Sequence, residues 1–116
     1  MDVKETLTKT KAGRRFVGFM RAVNTGDSHI LRAHLDYIAD QSLEHHSKEI
    51  WQAQLQYIHA ITGGLKAIQV MASDEYQVVV LMQAQKDSRL HVIDMTVEED
   101  YPHKVIQFVQ RVAGGE

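Results

Sequence analysis

The candidates for proton transfer in this sequence are Asp94 and His91, with Tyr37 and Tyr57. A carboxylate held among apolar groups has its pKa raised and can serve as a general base, with a tyrosine to assist. Asp94 falls in Arg89–Glu98, where Leu90, Val92 and Thr96 share its parity. His91 is an odd number of residues away, so on a regular strand it faces the opposite side, and the two cannot form one dyad without a bulge. Such a site would suit isomerase or dehydratase chemistry in a small pocket. The plainer alternative makes Asp94 a sheet-edge carboxylate, solvated or bonded to a neighbouring strand. The candidate pocket wall is Trp51, Leu55, Tyr57, Met82 and Asp94; the alternative for Trp51 is a core anchor, and for Met82 ordinary core filling.

Other chemistries are poorly provided for. Seven histidines and no cysteine leave no thiol nucleophile, disulfide or Cys-ligated zinc. His45 and His46 are adjacent, about 100° apart on a helix, and His29 and His34 are five apart; neither spacing chelates one ion well. No metal site is expected, and no cofactor. Ser-His-Asp catalysis lacks its elbow, and Gly63-Gly64 lacks the lysine and following helix of a phosphate-cradling loop. With 13 basic and 15 acidic residues and a net charge of −2, the chain has no basic stripe for nucleic acid. Lys9, Lys11, Arg14 and Arg15 form a local positive cluster, read as a solvated helix start. No apolar run approaches the ~20 residues of a membrane span, and Met1–Lys11 has no apolar core of a signal peptide. The expectation is a cytoplasmic protein with no membrane partner.

The elements that would position these residues follow from periodicity. The 116 residues make one domain, 1–116, able to bury about two-thirds of its unfolded surface, with residues 1–8 expected to fray. Thr10 caps a first helix whose Phe16, Phe19, Met20 and Val23 form one stripe. Gly13 and Gly18 weaken that helix by roughly 1 kcal/mol each relative to Ala. Asn24-Thr25-Gly26-Asp27 stops it and starts a second helix, with Ile30, Leu31, Leu35 and Ile38 inward. Gln41–His46 is an ambiguous bridge, with one extra helical turn as an alternative. A third helix from about Ser47 to Thr62 turns Ile50, Trp51, Leu55, Ile58 and Ile61 inward and ends at Gly63-Gly64.

Leu65–Ser73, Tyr76–Gln85, Arg89–Glu98 and Lys104–Ala113 then read as four strands with connections of two to five residues, an antiparallel meander. Val78–Met82 is apolar on both parities, which predicts cover on both faces. Helices take one face; a second copy of the protein across the other is the simplest cover, and a packed loop is the alternative. Met71, Met82 and Met95 on successive strands would suit a pocket or a dimer face equally.

Thr10-Lys11-Ala12-Gly13-Arg14-Arg15, Asn24-Thr25-Gly26-Asp27, Thr62-Gly63-Gly64-Leu65, and Val97-Glu98 followed by Pro102-His103-Lys104-Val105-Ile106 stand in an order and spacing that carries a resemblance. Together they resemble the small NTF2-like (cystatin-like, cone-shaped α+β) domain ahead of some bacterial serine hydrolases and tail-specific-type peptidases. The resemblance spans about residues 8 to 113, with Lys11 where a proline is usual. It implies three N-terminal helices packed on a curved four-stranded antiparallel sheet, often with a pocket between them, and does not imply catalysis, since in those fusions the nucleophile belongs to the hydrolase domain. A separately encoded hydrolase is then one possible partner. The functional expectation is a non-catalytic module that binds a small apolar ligand or a protein partner and homodimerises through the sheet, with the Asp94–tyrosine pocket enzyme as the alternative.

Overall fold

In a computed structural model that describes residues 3–113, the chain is an α+β fold of five helices and a four-stranded antiparallel sheet. The helices are α1 (Val3–Leu7), α2 (Lys11–Thr25), α3 (Ser28–His34), α4 (Asp40–Leu43) and α5 (Lys48–Thr62). The strands are β1 (Leu65–Ser73), β2 (Gln77–Ala84), β3 (Leu90–Val97) and β4 (Val105–Val112), in sheet order β1-β2-β3-β4. The meander and the four strands lie within a residue of the positions that alternation and turn residues predict.

Three helices were expected, and five are present among the described residues. Residues 3–7 form a helix rather than a frayed end, because Leu7 finds a place in the core beside Phe16 and Met20. The expected second helix stops at His34, and Leu35–Tyr37 continues as a 3-10 turn that places Leu35 and Ile38 in the core. The Gln41–His46 bridge begins within α4.

Caps explain the main boundaries. Thr10 Oγ1 accepts from the Gly13 N–H at 2.9 Å, and Asp27 Oδ1 accepts from His29 and Ile30. Gly26 ends α2 with φ 66°, in the left-handed region that an L side chain rarely adopts. Asn24 clamps the helical layer to the sheet. Its Nδ2 donates to the Leu65 carbonyl and its Oδ1 accepts from the Leu65 N–H, both at 2.9 Å.

The core lies between helices and sheet. Val78, Val80, Met82 and Ala84 of β2 and His91, Ile93, Met95 and Val97 of β3 meet Phe16, Phe19, Leu31, Leu35, Leu55 and Ile58 there. Sheet register pairs Met82 with His91, Val80 with Ile93 and Val78 with Met95, so one parity serves the whole core face. Two register shifts in β1 and one at Thr96/Val97 mark bulges, which bend a strand and increase its twist.

The far face carries the other parity. Val79 and Leu81 are half-buried there and Val109 is exposed. The apolar double parity of Val78–Met82 is therefore real, but helices cover only one side of it.

Candidate functional site

α5 and β4 diverge to leave a cleft of about 510 Å³ lined by Trp51, Gln54, Leu55, Tyr57, Phe108 and Gln110, among others. That volume falls in the usual range for small-molecule sites. Helical geometry explains the wall. Trp51, Leu55, Ile58 and Thr62 recur at i, i+4, i+7, i+11 and form the buried stripe of α5. Ile50, Tyr57 and Ile61 lie roughly a quarter-turn round the same helix. The expectation that Ile50 and Ile61 face the core is thus corrected; they are 45% and 38% exposed. Ile30, 43% exposed, fails for the same reason, one residue off the Leu31–Leu35 line.

Phe108 forms the floor, its ring 6.4 Å from that of Trp51 and 5.3 Å from that of Phe19. Two polar features stand out. Gln110 Nε2 lies 2.6 Å from Nδ1 of the buried His91, so an amide at the wall is tied to an imidazole behind it. The Trp51 indole Nε1 is buried with no hydrogen-bond partner among the described residues. An unpartnered buried donor carries a penalty of about 1–3 kcal/mol.

The residues singled out by the sequence separate into two groups. Trp51, Leu55 and Tyr57 line the cleft. Met82 is buried in the core, against α2 rather than the cleft. Asp94 is on the far face of the sheet, opposite Val79 and Val109, where Gln77 Nε2 donates to its Oδ1 at 3.1 Å. His91 and Asp94 face opposite sides, as their odd spacing requires. The sheet therefore stands between Asp94 and the tyrosines, and the Asp94–tyrosine pair is not brought together. Tyr37 lies instead under the Arg15 guanidinium, which is 4.0 Å from its ring centroid, and near His34, at 5.7 Å between rings. Burial first, and the Arg15 charge second, hold the His34 pKa below its ordinary value.

Sequence reasoning missed Phe108 and Gln110, because strand alternation cannot tell which end of a strand the helices leave uncovered. Among the described residues no group of three or more His, Asp or Glu side chains could hold a metal ion. No helix there is long and apolar enough to cross a membrane.

The motif residues that carry the sequence resemblance have structural work here: Thr10 and Asp27 cap helices, Asn24 holds Leu65, and Pro102 and His103 offer carbonyls to Arg15. No protein-family model, curated protein or solved structure matches this chain.

Proposed function

We propose that this is an NTF2-like binding module that takes a small, mainly apolar molecule bearing one hydrogen-bond acceptor into the α5–β4 cleft. The observation that carries the reading is a mainly apolar cavity whose wall includes Trp51, a residue with an unpartnered indole N–H. The exposed apolar flank of α5 beside the cleft supports it, since apolar surface bordering a pocket is a common mark of a binding site.

Trp51 is the single tryptophan, so intrinsic fluorescence reads the site directly. A panel of neutral aromatic and aliphatic ketones should produce a saturable change that Gln54→Phe, which crowds the cleft, abolishes. Trp51→Phe, followed by ligand-observed NMR, should weaken ketones roughly fivefold or more and leave the matching hydrocarbons unchanged. Equal weakening of both series would remove the indole N–H from the argument, and no saturable binding by any member would end the reading.

The module is also proposed to homodimerise across the far sheet face. Its occupant is a second copy because Asp94 and Arg111 place opposite charges on that face beside Val79, Leu81 and Val109. A two-fold relation offers each charge its complement. Sedimentation at micromolar concentration should give a dimer that Leu81→Glu dissociates; a 13 kDa monomer for the unaltered chain would dismiss this part alone.

A further inference from the structure

A second cleft, of about 380 Å³, lies between the first turns of α2 and the β3–β4 loop. Lys11, Arg14, Arg15, Tyr101, Pro102 and His103 line it. Every charged or titratable nitrogen group in that wall is basic, and no carboxylate is among the lining residues. In sequence this cluster looked like an ordinary solvated helix start, but the fold gives it a concave shape and a second wall.

The charges differ in how they are satisfied. Lys11 is committed to Glu75, with Nζ 3.5 Å from Oε2 and its backbone N–H donating to Oε1. The N–H groups of Ala12 and Gly13 are also taken, by the Glu75 carbonyl and the Thr10 hydroxyl. Attraction for a ligand therefore does not come from the helix terminus. It comes from the arginines: neither Arg14 nor Arg15 lies within ion-pair distance of a carboxylate among the described residues. Arg14 Nε donates only to the neutral Thr10 carbonyl at 3.2 Å, while its charge, behind that of Lys11, helps to hold the Glu75 pKa down.

Arg15 is half-buried and held in place. Its Nη2 donates to the Pro102 carbonyl at 2.5 Å and its Nε to the His103 carbonyl at 3.3 Å, while its plane lies over Tyr37. A partly buried guanidinium is normally matched by a carboxylate; here it is matched only by neutral carbonyls, so its charge is left over. The acidic residues Glu98, Glu99 and Asp100 of the same loop do not supply the missing partner, as none of them forms an ion pair with either arginine. The lowered His34 pKa, for which the Arg15 charge is the second cause, is consistent with that uncancelled charge.

We propose that this cleft binds the phosphate group of a small phosphate monoester, independently of the α5–β4 cleft. Arg14 and Arg15 face the oxyanion, His103 borders it, and the Tyr101 ring, 88% exposed, provides a surface for a planar carrier. Several donors converging on one anion suit a phosphate with three free oxygens, and guanidinium groups bind it by paired charge-assisted bonds.

The test is an NMR titration of the full chain at low salt with phenyl phosphate, and with phenol at equal concentration as the neutral comparison. Phenyl phosphate should give saturable amide shifts centred on residues 11–15 and 101–103, and phenol should give none there. Arg14→Gln, an exposed position, should weaken phenyl phosphate roughly tenfold or more with the fold intact. Arg89→Gln, an exposed position in the β2–β3 turn, should leave binding unchanged. Shifts that do not saturate by about 10 mM, an equal response to phenol, or an Arg14→Gln affinity equal to that of Arg89→Gln would each overturn the proposal. Binding of ketones at Trp51 is read separately, so either site can fail without the other.

Discussion

Alanine at Gly13 and at Gly18 should have opposite effects, although both are helical positions of α2. By helix propensity alone each replacement stabilises by about 1 kcal/mol. At Gly18 nothing opposes this, since the nearest outside atom to an added Cβ is His34 Nε2 at 3.6 Å, ordinary contact. At Gly13 the methyl would meet the Leu7 backbone, with the carbonyl carbon 2.7 Å and the Cα 2.9 Å away and the carbonyl oxygen closer still. Backbone cannot rotate aside as a side chain can, so α1 must lift off. That exposes Leu7, which is almost fully buried, and burial of one such side chain is worth about 2 kcal/mol. Adding looser packing at Phe16, the net result is a loss of about 1–2 kcal/mol. Thermal unfolding should show Gly18→Ala raised by about 4 °C and Gly13→Ala lowered by about 4–8 °C. Native-state hydrogen exchange should show the Thr8 amide, bonded to the Lys4 carbonyl, losing protection only in Gly13→Ala. If Gly13→Ala is as stable as Gly18→Ala, α1 is not docked as described and the close approach is not what selects glycine.

Two further outcomes follow from named bonds. Asn24→Ala leaves both the N–H and the carbonyl of the buried Leu65 without their side-chain partner and should reduce stability by about 2–4 kcal/mol, measured by urea unfolding; a loss under about 0.5 kcal/mol would show the clamp to be dispensable. His34, held neutral by burial and by Arg15, has its pKa depressed below 6.5, so the unfolded chain binds the proton more readily and stability falls as pH drops below about 6.5. Above about pH 7 this effect is absent. The lowered carboxylates Asp36, Glu49 and Glu75 titrate below their ordinary 3.8 and 4.5, outside the window. Unfolding free energy between about pH 7 and 5 should therefore fall less steeply in His34→Gln than in the unaltered chain; parallel curves would refute the assignment.

The amino-acid sequence by itself determined the strands, the caps and the stops, because those depend on neighbours a few residues apart. Thr10 and Asp27 cap helices wherever those helices end up, and period-two alternation marks a strand before its partners are known. It also determined that His91 and Asp94 part company. Which parity meets the helices was decided only in three dimensions. One face of β3 holds His91 and the other Asp94, and the choice rests on where Phe16, Phe19 and Leu55 pack, residues 30 or more positions away in sequence. The same long-range packing swung Ile50 and Ile61 out of the core, docked Leu7 against Gly13, and opened a cleft between α5 and β4. It also brought Arg14 and Arg15 opposite Tyr101 and His103, a pairing invisible to any local window because it joins the two ends of the chain.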